Sequence, residues 1–292
     1  MIPKIITILL LITFSFASTL DASEKDAYRV FTREGDVTNY QELLTGALEA
    51  NIILFGELHN NPVAHWLQYE LSHDLLQHKE TGLVLGAEML ESDNQLLINE
   101  YVDGHIQQRH FKAEAKLWDN YDTDYEPLVE LARENGIPFV ATNIPRRYAA
   151  VVHRGGFEAL DKLDSQAKTY IAPLPVPYDP ELPGYKAMLE MDGMPGHGNE
   201  NFPKAQAIKD ATMAHFILEN HAENDTFLHF NGAYHSNNDE GIVWYLQEYS
   251  DNAPQVMTIS TVEQADIDTL EAQHTGLADF IIVVPDTMTK TH

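Results

Sequence analysis

Cysteine is absent from all 292 residues. That excludes disulfides, thiolate ligands for a metal or cofactor, and a lipid anchor carried on a cysteine. A chain without thiols also suits an oxidising compartment. Cations are scarce as well: 18 Lys and Arg face 45 Asp and Glu, a formal net charge of -27 at pH 7. Such a surface repels phosphate backbones and anionic lipid head groups, which argues against nucleic acid as a partner. Long apolar runs are missing too, since Ile5 to Phe16 falls short of the roughly 20 residues that cross a bilayer. No serine nucleophile elbow, phosphate-cradling Walker loop or dinucleotide fingerprint is present, so acyl-serine, nucleotide and nicotinamide chemistry lack support.

What is there suffices for a packed core, with 44% hydrophobic and 10% aromatic residues. Residues 1–17 read as a signal peptide: Lys4 is a short basic region, Ile5 to Ile12 are apolar, and Ser15-Phe16-Ala17 supplies small residues at the cleavage site. The expectation is a soluble periplasmic or secreted protein with a single domain over 18–292. Short apolar runs at Ile52 to Phe55, Leu83 to Ala87, Pro138 to Thr142, Thr226 to Phe230, Gln255 to Ile259 and Phe280 to Val284 alternate with longer amphipathic ones. This is the pattern of an α/β fold with a mostly parallel central sheet and helices on both faces. Asn61 caps an expected helix with Pro62 in its first turn, and further helices are expected at Asp124 to Glu134, Pro145 to Val152, Lys204 to Glu219 and Glu240 to Tyr249. Between about 172 and 202 six prolines, from Pro173 to Pro195, argue against regular structure over most of the stretch. This Pro-rich insertion, with Tyr178, Tyr185, Met188, Met191, Met194 and His197, reads either as a ligand-covering lid or as a surface excursion over an apolar face.

In open α/β sheets ligands gather beyond the carboxyl ends of the strands. Those ends are polar here: Glu57 and His59 follow the first run, Glu88 the second, Asn143 and Arg146 the third, and His235 the fourth. Two Gly-x-x-His turns, Gly56 to His59 and Gly232 to His235, stand out, with each glycine expected to allow a tight turn. If they converge, the two imidazoles with Glu57 and Glu88 could run acid-base chemistry, or His59 and His235 could hold a divalent metal. Each histidine also admits a plain turn or core role, and each glutamate a pairing with Arg146. His65, His73 and His78 read as surface residues, and His229 as a packed strand residue. Gln206 and Asp210 share a helix face that points at the site or at solvent.

The ordered set Gly56-Glu57-Leu58-His59, Glu88, Trp118 with Tyr121 and Tyr125-Glu126-Pro127, Thr142-Asn143-Ile144-Pro145-Arg146, Ala205-Gln206 with Asp210, and Gly232-Ala233-Tyr234-His235 resembles the ChaN-like haem-binding uptake proteins. These belong to a superfamily with Tiki, TraB and erythromycin-esterase-like proteins. The resemblance, spanning about Asn51 to Ile259, implies a haem-binding protein of iron uptake, as a homodimer, working with an outer-membrane haem receptor system. It also implies an alternative: a hydrolase, with or without a metal, whose catalytic residues are Glu57, His59, Glu88, Arg146 and His235. Haem in the family is held through a tyrosine oxygen, for which Tyr178 and Tyr185 are the candidates, with His197 as a helper; Arg146, Arg147 or His197 would meet the propionates. Many members look like lipoproteins, and this chain lacks the anchoring cysteine, which implies a soluble form.

Overall fold

The computed structural model describes residues 25–78, 82–190, 199–252 and 254–292. The expected signal peptide, together with Met191, Met194 and His197, lies outside the described residues.

In chain order the elements are β1 (Arg29–Thr32), β2 (Val37–Thr38), α1 (Tyr40–Glu49), β3 (Ile52–Glu57), α2 (Pro62–His78), β4 (Leu83–Glu91), α3 (Gln95–Val102), α4 (Gln108–Glu114), α5 (Glu126–Asn135), β5 (Phe139–Asn143), α6 (Arg146–Gly155), α7 (Ser165–Lys168), α8 (Pro183–Glu190), α9 (Asn201–Asn220), β6 (Thr226–Gly232), α10 (Ile242–Glu248), β7 (Val256–Gln264) and β8 (Phe280–Pro285). The strands form one sheet in the order β2-β1-β8-β7-β3-β6-β4-β5. β8, β7, β3, β6, β4 and β5 run parallel, and β1 and β2 add an antiparallel edge.

Each central strand has an apolar side chain facing both ways, so it reads as a continuous hydrophobic run. Ile53 and Phe55 of β3 join Leu67 and Leu71 of α2 and Val129 of α5 on one face. Ile52 and Leu54 join Val152 of α6, Ala211 of α9 and Leu246 of α10 on the other. Helices therefore cover both faces, as the periodicity predicts. α2 starts where expected: the Asn61 side-chain oxygen accepts from the backbone N–H groups of Val63 (3.0 Å) and Ala64 (3.1 Å). α5 ends at Gly136, whose φ of 64° is the left-handed C-terminal cap that glycine supplies. Among the described residues, no helix is long and apolar enough to cross a membrane.

The proline-rich stretch departs from expectation. It contains the helix α8, with Pro183 at its first position, where a missing N–H is harmless. Tyr185 and Met188 of that helix, with Ala172 and Val176 before it, are buried in the core on the α9 side. The Tyr245 hydroxyl donates to the Pro177 carbonyl oxygen (2.8 Å), and Thr212 accepts from the Ala172 N–H (3.2 Å). Over its described part, the stretch packs as a cover on an apolar face.

Candidate functional site

β3 and β6 are neighbours in register, with Gly56 opposite Asn231 and Glu57 opposite Gly232. The two Gly-x-x-His turns therefore leave the same sheet edge side by side. The glycines themselves correct the sequence reading, because neither has a positive φ. A Cβ on Gly56 would stand 2.8 Å from the Ile259 carbonyl oxygen and 2.9 Å from the Ala233 Cα. One on Gly232 would stand 2.8 Å from both Cε1 and Nε2 of His59. Both are glycine because another group comes close, rather than because the turn demands it.

The first half of the site centres on Glu57, whose side chain is fully buried. Its Oε1 accepts from the Tyr125 hydroxyl (2.7 Å) and pairs with His59 Nδ1 (2.9 Å), while Oε2 accepts from the Gln68 amide (2.5 Å). Tyr125 comes from a wide π-type turn, Tyr121–Tyr125, a feature that recurs at functional sites. Burial alone would lower the basicity of His59, but the hydrogen bond to Glu57 and the charges of Glu88 and Glu57 outweigh it and raise its pKa. The imidazole is held edge-to-face against Trp118, ring centres 5.0 Å apart, with its side chain 40% exposed. Its Nε2 takes no hydrogen-bond partner among the described residues, so this half faces the opening.

The second half is sealed. The pairing between β4 and β5 shifts register between Ala87 and Glu91, the stretch that carries Glu88. Glu88 Oε2 accepts from the Gly232 N–H (2.8 Å), and Oε1 meets His235 Nε2 at 3.1 Å. The other nitrogen of His235 pairs with Asp210 Oδ1, and Asp210 Oδ2 accepts from the Tyr185 hydroxyl (2.7 Å). Gln206, one turn before Asp210 on α9, places its amide against the same imidazole (3.0 Å from Nδ1). Gln206 and Asp210 thus point at the site. Burial disfavours charge on His235, yet Glu88 and Asp210 on either side push its pKa up to about 10. Burial likewise opposes charge on Glu88, but His235, then His59 and the Gly232 N–H hold its pKa well below the usual carboxylate range.

Glu57, His59, Glu88 and His235 therefore converge at one sheet edge, beside a cavity of about 410 Å³ whose walls include Glu57, His59, Tyr234, His235 and His292. Arg146 does not pair with either glutamate, contrary to the sequence reading: histidines take those carboxylates, and Arg146 lines a neighbouring cavity with Glu88 and Trp118. A metal on His59 and His235 does not fit either. Both nitrogens of His235 are engaged by carboxylates, and among the described residues no cluster of three or more acidic and imidazole side chains is arranged to hold an ion. Tyr178 packs its half-buried ring against Phe157 and Tyr185. Tyr185 is 3% exposed, with its oxygen committed to Asp210. His65, expected at the surface, is buried instead, its Nε2 3.1 Å from the His59 carbonyl oxygen and 3.4 Å from Asp124 and its Nδ1 3.6 Å from Glu57. Only its i, i+3 spacing to Gln68, which also holds Glu57, hinted at a shared inward face.

A parallel sheet with paired carboxylate–imidazole turns at its edge defines a recognisable class of α/β protein. The profile described as "Haem-binding uptake, Tiki superfamily, ChaN" matches residues 43–246, and the chain belongs to that family. Among solved structures it is similar to one titled "Cofacial heme binding to ChaN of Campylobacter jejuni", with a TM-score of 0.66 at 16% identity over 88% of this chain and 96% of that one. It is also similar to an erythromycin esterase variant in its open conformation, with a TM-score of 0.52 at 9% identity over 91% of this chain and 98% of that one. At these identities the likeness is one of fold. A curated relative, Protein RETICULATA-RELATED 5, chloroplastic, of Arabidopsis thaliana, is 24% identical over 185 residues, which are 59% of this chain but only 25% of the relative.

Proposed function

We propose that this protein binds haem at the strand-end cleft, in haem or iron uptake outside the cytoplasm, soluble after export. The observation that carries this reading is the family match across residues 43–246 together with an exposed phenol at the open cavity. Tyr234 is 43% exposed, its hydroxyl donating to the Gly184 carbonyl oxygen. Burial of its inner side, then Glu240 and Asp210, raises its pKa to about 12. Tyr178 and Tyr185 are poorer candidates as iron ligands, since one is packed among aromatic rings and the other is bonded to a buried carboxylate. Tyr234, by contrast, is exposed, and a ligand arriving from solvent would take its oxygen in exchange for the hydroxyl's contact with the Gly184 carbonyl. When bound, ferric haem supplies a Lewis-acidic iron that favours a phenolate oxygen. Around it, His59 presents an unengaged Nε2 from the same cavity wall, where it can donate to or accept from an oxygen.

Haemin titrated into the purified protein should give a saturable shifted Soret band, and Tyr234→Phe should weaken binding about tenfold or more and abolish the charge-transfer absorption of a phenolate complex. Binding no tighter than to an unrelated acidic protein would sink the reading. The Campylobacter protein is described as binding haem cofacially, and on that analogy two copies of this chain would pair around stacked rings. Sedimentation with and without haemin tests this, and a monomer in both conditions would refute it.

A second reading rests on a specific observation, the half-exposed His59 hydrogen-bonded to a buried Glu57 beside the charged His235. That is the equipment of a metal-free hydrolase, with His59 as general base. Turnover of ester or peptide substrates that disappears in His59→Ala would support it; no turnover across a broad panel would count against it.

A further inference from the structure

Beside Glu88 the sheet edge carries two further hollows that the haem reading has not used. Two small cavities of about 170 and 200 Å³ lie along the ends of β4 and β5 and the flank of α9, and Arg146, Ala149 and Lys209 line both. Cations are scarce in this chain, 18 against 45 acids, and two of those near this edge are already paired. Lys116 holds Glu91 at 2.5 Å, and Arg147 holds Asp93 at 2.6 Å while lying over the Tyr148 ring. Neither Arg146 nor Lys209 has an ion-pair partner among the described residues.

The carboxylates in the same walls do not cancel them. Glu88 is paired with His235 at 3.1 Å, an imidazolium it shares with Asp210, and Glu91 is paired with Lys116. Among the described residues the second cavity has no acidic side chain in its lining, only His153 and Gln206 as further polar groups. Two cations without ion-pair partners among the described residues, set in one concave wall of a protein of net charge -27, give a local site for negative charge. A guanidinium and an ammonium flanking a cavity are suited to a carboxylate, which the guanidinium receives in its planar fork.

We propose that Arg146 and Lys209 form an anion-recognition arm that selects ligands bearing a peripheral carboxylate. This rests on the haem reading, and for haem the groups recognised are the propionates. Arg147, the other arginine of the pair, is not part of the arm because Asp93 occupies it. The ligand thus spans the edge, with its centre at the Tyr234 cavity and its acidic rim against α9.

Titration of haemin and of its dimethyl ester into wild type, Arg146→Met, Lys209→Met, Arg146→Lys and Lys209→Arg tests this. Wild type should bind haemin about tenfold more tightly than the ester at 0.15 M salt, as for one charge-assisted contact. Both methionine variants should bring that ratio towards one, while the charge-retaining variants keep most of it. The salt dependence of haemin affinity should fall with the ratio. Equal affinity of wild type for haemin and ester would overturn the arm and leave the haem reading standing, as would a ratio that survives both methionine substitutions. If wild type binds neither ligand, the haem reading falls and the arm falls with it.

Discussion

Replacing His235 by glutamine removes the imidazole that stands between Glu88 and Asp210, three side chains that are each no more than 6% exposed. Its folded pKa of about 10 lies above the ordinary 6.5, so the stability it contributes is fully present below pH 6.5 and is lost as the pH rises through 10. Over that whole window the shift corresponds to about 5 kcal/mol, and near pH ~7.5 to about 3 kcal/mol. The depressed pKa of Glu88 expresses the same contact from the other side and adds nothing further. An independent route gives a similar figure, since removing one partner of a buried ion pair costs about 3–5 kcal/mol through the charge left behind. At an m-value of about 3 kcal/mol per molar urea, His235→Gln should lower the unfolding midpoint by about 1 M near neutral pH. The gap between the two proteins should close as the pH rises towards 10. Substituting Glu88→Gln and Asp210→Asn as well should recover more than half the loss, because no unpaired charge then remains. Urea unfolding followed by circular dichroism between pH 6 and pH 10 checks all three points. A His235→Gln midpoint within about 0.2 M of wild type at neutral pH, or a His235 ring that titrates near 6.5 by NMR, would refute the reasoning.

The two site glycines should behave differently when given a methyl group. Gly56→Ala drives its Cβ into backbone on both sides, the Ile259 oxygen and the Ala233 Cα, and should destabilise by about 2–3 kcal/mol in thermal or urea unfolding. Gly232→Ala clashes with the His59 ring, which can swing outward, and meets Glu88 Oε2 only at an ordinary 3.5 Å, so the stability loss should stay near 1 kcal/mol while the His59 pKa falls towards its ordinary value by NMR. Equal destabilisation by the two would show that the His59 ring cannot yield. Tyr185→Phe leaves a buried oxygen of Asp210 without its donor and should lower stability by about 1–3 kcal/mol; a change under about 0.5 kcal/mol would mean that the hydroxyl is dispensable.

The six parallel strands were legible because strands covered on both faces must be apolar at successive positions, as Ile52, Ile53, Leu54 and Phe55 are. The edge pair was not, since β1 and β2 are four and two residues long, β1 borrowing its pairing from β8 and β2 from β1. The site positions Glu57, His59, Glu88 and His235 were legible for a topological reason: polar residues directly after buried strands sit where the sheet ends. What joins them was not. Whether Glu88 meets Arg146 or His235 depends on the register shift at the end of β4, and Asp210 reaches His235 only because α9 packs over β4 and β5. His65 shows the same limit, for its partners come from β3 and from the turn before α5, segments whose approach no local pattern encodes. The glycine roles were misread because a close approach by a distant group, backbone at Gly56 and the His59 ring at Gly232, leaves no mark on the residues next to it.

The structure also breaks the symmetry that the repeated turn suggests. By sequence His59 and His235 are equivalent, each three residues beyond a glycine. In the fold they differ in exposure, 40% against 6%, and in the number of carboxylates that hold them, one hydrogen-bonded to His59 against one on each nitrogen of His235. With a pKa near 10, His235 keeps its proton at neutral pH and has no free nitrogen to accept another. It therefore serves as a fixed positive charge that holds Glu88 ionised and anchors the Gly232 N–H against it. Any proton exchange with a ligand falls to His59, the member with an unengaged nitrogen at the cavity, tied at the other to Glu57. The buried half is thus built to position, and the open half holds the group that can exchange a proton. That division accommodates a haem-binding role, in which His59 meets a ligand oxygen, and would equally accommodate hydrolysis, because both require the same imidazole to be reachable and its neighbour to stay put.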